Sequence, residues 1–419
     1  MASTMLQKVP SVHARTVQTV QPTSACKPAV CSTATRRSSA VKSCKFFTGR
    51  GIPQGSRMMK ASCREPANVT TSSLSIPEVI EKLMDKEDLT QEETSNALQL
   101  MVSGADAAQI SAFLVLLRAK GETPSEVAGL ASAMQAMSVK ADCGDDILDI
   151  VGTGGDGIGS VNISTGSCLI AAAAGARVAK HGNRSVSSMC GSADVLEALG
   201  VQVDLGPESM AECVNECNMG FMFAPRYHPA MKSVAPVRKS LKVRTAFNLL
   251  GPMLNPAGAK YALVGVYSPA PEVLGLMGQS LMRLDMEKAL IVHSQGLDEL
   301  TPMGSATIME VTKDQSETYE FDPLEVGIPR CEVEDLKGGD RFVNAELLRE
   351  TLAGKPGAIG NALALNAGVA LSAAGKADSV QAGVQLALEV QQSGEGLKTL
   401  DKWVAKTQEL YEREQAAAK

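Results

Sequence analysis

Between about residues 75 and 141 the apolar positions recur at three- and four-residue intervals, the period of amphipathic helices. Phe113, Leu114, Leu116 and Leu117 mark one apolar face, with Asp106 placed to cap the helix that carries it. Thr90-x-x-Glu93 and Thr123-Pro124-Ser125-Glu126 read as capping boxes, the second with proline at the first helical position. A bundle of about four helices follows, too small to bury much alone, so its free faces should pack on the rest of the chain or on another subunit. From Asp146 the period changes. Short apolar runs at 147–151, 177–179, 201–203, 221–223, 262–267 and 289–292 alternate with helical stretches. That alternation predicts an α/β fold with a mainly parallel sheet flanked by helices. Residues 311–313 and 317–321 predict a hairpin, and from Asn344 the pattern is helical again. The expected division is a small α-helical domain over 69–141 and a larger α/β domain over 142–419, with ligands at the carboxyl ends of the strands.

The first 64 residues fit neither pattern: they hold eleven Lys or Arg, no Asp or Glu, and frequent Ser, Thr, Val and Ala. This is the composition of a transit peptide, expected to be disordered over residues 1–68. Lys8, Arg15, Lys27, Arg36 and Arg37 interrupt each apolar run, which argues against a secretory signal. The alternative is a retained basic arm for nucleic acid, but no aromatic residues are usefully interleaved there. Without those eleven, 29 of the 40 basic residues face 46 acidic ones, a net charge of about −17. A body that acidic repels polyanions, so a phosphate ligand has to be held by a local cluster and by metal. No run approaches the ~18 apolar residues of a membrane span. Cys143, Cys168, Cys190, Cys213, Cys217 and Cys331 contain no Cys-x-x-Cys pair, so reduced thiols are expected rather than zinc or disulfides.

The candidate chemistry sits at the predicted strand ends. Gly152-Thr153-Gly154-Gly155-Asp156-Gly157 is a glycine-rich turn after a strand, and Asn162-Ile163-Ser164-Thr165 opens an Ala-rich helix. Backbone N–H groups of such a turn and of a helix N-terminus suit a phosphate. The spacing also matches G-x-G-x-x-G, but a dinucleotide site needs an acid at the end of the next strand, where Lys180-His181 stands. Lys180 to Arg184, then Ser187, Ser188, Ser192 and Asp194, make a second loop rich in small polar residues. A basic run from Arg226 through Lys232, Arg238, Lys239 and Lys242 to Arg244 reads as an anion site in so acidic a chain, Arg being able to fork onto a carboxylate. Asp298-Glu299, after a strand, suits Mg²⁺.

With these motifs assembled, from about Ile76 to Tyr411 the sequence resembles the anthranilate phosphoribosyltransferase family. The signatures are the Gly152–Asp156 turn, Asn162-Ile163-Ser164-Thr165, Lys180-His181-Gly182-Asn183, Gly191-Ser192-Ala193-Asp194, His228-Pro229, Arg238 to Thr245, Asn248 to Pro256 and Leu297-Asp298-Glu299. The resemblance implies a nucleoside phosphorylase-like architecture in which the chain re-enters the helical domain around 229–260. It implies transfer of 5-phosphoribose from phosphoribosyl pyrophosphate to the anthranilate amine, in tryptophan biosynthesis. Gly152, Gly155, Asp156, Asn162, Ser164, Thr165, Lys180 and Ser192 would hold phosphoribosyl pyrophosphate. His181, Asn183, His228 and Arg238 would line the anthranilate path, and Ser164, Asp298 and Glu299 would bind two Mg²⁺ ions. A homodimer through the helical domain is implied as well. With a transit peptide, the family's pathway points to the plastid stroma of a plant or alga. The alternatives are a pyrimidine nucleoside phosphorylase-like enzyme or an inactive relative that binds nucleic acid. Pro236, Lys242 and Ser294-Gln295 depart from the family's usual residues.

Overall fold

In the computed structural model, which describes residues 74–185, 189–267 and 271–418, side-chain caps start the N-terminal helices. The predicted transit peptide and the hydroxyls of Ser187 and Ser188 lie outside the described residues. After α1 (Ile76–Met84), α2 (Gln91–Val102) begins where Thr90 Oγ1 accepts the Glu93 N–H at 3.1 Å, while the Glu93 carboxylate accepts the Thr90 N–H at 2.9 Å. Asp106 caps α3 (Ala107–Lys120) through the Ala108 N–H at 2.7 Å. Thr123 and Glu126 close a reciprocal box on α4 (Pro124–Ala136). Each cap satisfies donors that the first helical turn leaves open.

The sheet follows. β1 (Ile147–Gly152), α5 (Ile163–Ala173), β2 (Arg177–Gly182), α6 (Ser192–Ala198), α7 (Pro207–Cys217) and β3 (Met219–Phe223) build one side of it. After α8 (Ala224–Tyr227), α9 (Met231–Leu241) and α10 (Phe247–Leu250), the chain adds β4 (Tyr261–Gly265), α11 (Pro271–Met282) and β5 (Lys288–Ser294). The hairpin β6 (Ala306–Thr312) and β7 (Ser316–Phe321) comes next, and then α12 (Arg341–Leu352), α13 (Ala358–Ala373), α14 (Val380–Ser393) and α15 (Glu395–Ala417). The strand order is β3-β2-β1-β4-β5-β6-β7, parallel up to β5 and antiparallel beyond it. Residues 201–203 are not a strand, contrary to their apolar pattern. Val201 and Val203 are buried, and the Gln202 N–H donates to Thr407 Oγ1 of α15, so a helix rather than a sheet neighbour satisfies this segment.

Both faces of the sheet are covered, as a parallel sheet requires. Leu263, Leu290 and Val292 point into one core, shared with α5 and α13. The alternate positions Ala262, Val264, Ala289 and Ile291 point into the other, shared with α1–α4 and with Val234, Val237, Phe247 and Leu250 from α9 and α10. Residues 229–260 therefore cross the helical bundle before the chain returns to the sheet. No helix among the described residues is long and apolar enough to cross a membrane, and the six cysteines there are free.

Candidate active site

The ends of β1, β4 and β5 converge on three carboxylates. Gly152 and Gly265 pair at the ends of β1 and β4, and a Cβ on either would run into Asp298. Glycine at both positions lets the loop after β5 lie directly on the strand ends. There Asp298 accepts the Gly154 N–H at 2.6 Å, and the Thr153 hydroxyl accepts the Tyr267 N–H at 3.0 Å, fixing the glycine-rich turn onto β4. Gly154, Gly155 and Gly157 all have positive φ. Oxygens of Asp156, Asp298 and Glu299 lie within 4.8 Å of one another. Burial, together with the Asp156 charge, pushes the Asp298 carboxyl up to about 6. Burial and the charges of Asp298 and Asp156 hold Glu299 well above the usual carboxylate range. A divalent cation relieves that repulsion, and an all-oxygen donor set fits Mg²⁺.

The backbone N–H of Ser164, at the start of α5, faces the Glu299 carboxylate and favours its charged form. The Ser164 hydroxyl accepts from Lys180 Nζ at 3.3 Å, and the same ammonium donates to Ile150 O at 2.6 Å. Lys180 is 2% exposed, so its charge reaches the carboxylates with little solvent screening. Thr165 is fully buried and its hydroxyl has no partner. Asn162, the residue before α5, donates to Cys190 O at 3.1 Å. Ser192 is the first residue of α6, beside the end of β2 at Gly182.

On the other side of Lys180, the rings of His181 and His228 meet edge-on, 5.1 Å between centroids. His181 Nδ1 lies 3.0 Å from Gly251 O, and His228 Nε2 lies 2.9 Å from Leu254 O. A carbonyl only accepts, so these nitrogens carry the protons; His181 Nε2 and His228 Nδ1, buried without partners, are left as acceptors. Burial, the neighbouring ring and Lys180 push His181 down to about 3. Burial pushes His228 down to about 4. Both rings are neutral near pH 7.

The basic run does not form one anion site. Arg226 pairs with Asp204 and Glu414, and Lys232, Lys239 and Lys242 are exposed. Helical spacing and the break between α8 and α9 aim these side chains in different directions. Half-buried Arg238 has its guanidinium 5.1 Å from the Phe247 ring centroid. Arg244 lies over Tyr267, with a guanidinium nitrogen 3.4 Å from where a Gly155 Cβ would stand. Asn183 is exposed, and its side-chain oxygen accepts the Arg184 N–H at 2.7 Å. Sequence reasoning gave no role to Asp149, which is 1% exposed. It accepts from the His181 N–H at 3.3 Å and from Asn255 Nδ2 at 2.7 Å, and burial pushes it up to about 6. The available signal was an acid inside the apolar run 147–151.

Residues 144–397 match a glycosyl transferase family α/β domain, and residues 77–138 match the helical bundle domain of the glycosyl transferase family. Anthranilate phosphoribosyltransferase of Chlamydia felis is 45% identical over 332 residues, covering 79% of this chain and 96% of that protein. The crystal structure of the Thermus thermophilus anthranilate phosphoribosyltransferase aligns with a TM-score of 0.75 at 44% identity, over 79% of this chain and 99% of that one. The Saccharomyces cerevisiae enzyme in complex with PRPP and Mg aligns with a TM-score of 0.74 at 25% identity, over 80% and 98%.

Proposed function

Because the chain belongs to the anthranilate phosphoribosyltransferase family, we propose that this cleft transfers 5-phosphoribose from phosphoribosyl pyrophosphate to the amine of anthranilate. One observation carries the assignment: the three carboxylates, buried Lys180, the unpartnered Thr165 hydroxyl and the open start of α5 lie together beside two neutral histidines.

In the reaction, the amine nitrogen bonds to the anomeric carbon as the bond to the pyrophosphate oxygen breaks, and the nitrogen then sheds one proton to the departing pyrophosphate, giving N-(5-phosphoribosyl)anthranilate and protonated pyrophosphate. Gly152, Gly155, Thr165, Lys180, Ser192 and, through its backbone N–H, Asn162 hold the donor's phosphates, with Lys180 countering the charge that develops on the leaving group. Asp156, Asp298, Glu299 and the Ser164 hydroxyl would supply oxygens for two Mg²⁺ ions. When bound, Mg²⁺ supplies charge neutralisation at the pyrophosphate. His181 Nε2 and His228 Nδ1 accept from the anthranilate amine and orient its lone pair. Asn183 lines the same path. Arg238 engages the carboxylate. An aniline nitrogen is already a free base near neutral pH, so positioning and electrostatics supply most of the acceleration.

Anthranilate fluorescence decides the matter: consumption should require both phosphoribosyl pyrophosphate and Mg²⁺, and persistence of the signal with both present would refute the assignment. Two further readings accompany it. The apolar residues Met84, Leu100 and Val115, exposed on α1, α2 and α3, support a homodimer through the bundle. The acid-free basic segment before residue 65 supports import into a plastid, tested by whether residues 1–68 carry a fluorescent protein there.

A further inference from the structure

Asn344, in the first turn of α12, touches no proposed substrate yet is 1% exposed with both ends of its amide engaged. Its Oδ1 accepts the Gly339 N–H at 2.7 Å, and its Nδ2 donates to Asn162 Oδ1 at 3.0 Å. Asn162 in turn donates to Cys190 O at 3.1 Å. The backbone before α12 runs along the same partner segment. Val161 N–H donates to Leu336 O at 2.9 Å, Gly338 N–H donates to Gly159 O at 3.0 Å, and Ser160 bridges Lys337.

Asn162 occupies the N-cap of α5, where an asparagine ordinarily accepts the N–H of the second or third helical residue. Here its side chain makes no cap bond. Its backbone, at φ −69° and ψ 73°, forms an inverse γ-turn closed by the Ile163 N–H on Val161 O at 2.6 Å. The second helical N–H, from Ser164, faces the Glu299 carboxylate, which it helps to keep charged. The third belongs to Thr165, whose buried hydroxyl is also without a partner. An asparagine amide able to swing onto that N–H would compete with any anion for it.

We propose that Asn344 is a positioning residue: by holding the Asn162 amide against Cys190, it keeps that side chain from capping α5 and leaves the Thr165 N–H open to the phosphates of phosphoribosyl pyrophosphate. The proposal rests on the assignment of those phosphates to the start of α5. It treats Asn344 as the suppressor of a competitor already present in the chain. A purely structural role would lower stability without depending on the Asn162 side chain.

The test is a double-mutant cycle on the full chain, reading equilibrium binding of phosphoribosyl pyrophosphate with Mg²⁺ alongside kcat and both KM values. Asn344→Leu keeps most of the side-chain volume and removes both bonds. It should weaken phosphoribosyl pyrophosphate binding about three- to thirtyfold, the worth of one cap, with the anthranilate KM within about twofold. In an Asn162→Ala background no side chain can compete for α5, and the same change should shift binding less than about twofold. Equal shifts in the two backgrounds, or no shift in either, overturn the proposal. Should Asn344→Leu fail to fold, Asn344→Asp keeps the acceptor for Gly339, loses the donor to Asn162, and carries the same comparison. Lys180→Ala and Thr165→Val separate the two levels. If they weaken binding while the cycle is additive, the site assignment stands and the role of Asn344 falls; if they leave binding unchanged, both fall.

Discussion

Arg238 differs from its neighbour Lys239 in being half-buried against Phe247, with burial lowering its pKa from the ordinary arginine value, whereas Lys239 faces solvent. A guanidinium held in place by a ring can fork onto a planar carboxylate in a way an exposed ammonium does not. Arg238→Ala should cost roughly 1.5–3 kcal/mol in kcat/KM for anthranilate, about ten- to a hundredfold, with phosphoribosyl pyrophosphate affinity nearly unchanged. Lys239→Ala is the control, and equal small effects from both changes would reject the assignment. The carboxylates give a second expectation at this scale. Asp298→Ala and Glu299→Ala should each lower activity roughly a hundredfold or more and abolish the Mg²⁺ response, as expected when a hard oxygen ligand is removed. In the intact protein, Asp298 is pushed up to about 6 and Glu299 is raised as well, so protons compete with the metal as pH falls through that range. The Mg²⁺ concentration for half-maximal rate should therefore rise between pH 7.5 and 5.5. A flat profile would contradict the shared-cluster geometry.

At the scale of elements, the site depends on how closely the loop after β5 lies on the ends of β1 and β4. Gly265 is the tightest point, because a Cβ there collides with the backbone of Asp298, which cannot rotate away as a side chain would. Gly265→Ala should therefore displace the loop carrying Asp298 and Glu299, lowering both activity and Tm. Gly275, inside α11, has nothing within 4 Å of its Cβ position. Gly275→Ala should be neutral or stabilising by about 0.5–1 kcal/mol, since it only removes the entropy cost of glycine in a helix. Thermal melts and rates of the two variants compare a packing effect with a propensity effect in the same fold. A neutral Gly265→Ala would mean that the loop is not held as described.

For the whole molecule, the two cores meet through the sheet, and residues 229–260 bring α9 and α10 onto the bundle. A chain starting near Asn68 should keep the specific activity and melting temperature of the full-length protein, because an acid-free basic segment of that composition cannot build a packed core. A substantial loss of either would refute the transit-peptide assignment. If the exposed faces of α1, α2 and α3 form a dimer interface, Met84→Glu with Leu100→Glu should convert a dimer to a monomer by light scattering.

Sequence alone determined what depends on short-range order. Helix starts at Thr90, Asp106 and Thr123 follow from local hydrogen-bonding chemistry, and the change of apolar period at Asp146 follows from the geometry of strands and helices. The glycine-rich turn, Lys180 and the Asp298-Glu299 pair were legible for the same reason, since each motif is contiguous and falls at the end of an apolar run. Tertiary structure decided which distant groups meet. The basic run from Arg226 to Arg244 looked like one site but was divided by helix direction, with Arg226 drawn to Asp204 and Glu414. The apolar run 201–203 looked like a strand but found its partner in α15. Asp149 and Asn344 gave little sign of their roles, because a buried polar side chain acquires its function from hydrogen-bond partners far away in the chain: Asn255 for the first, Asn162 for the second.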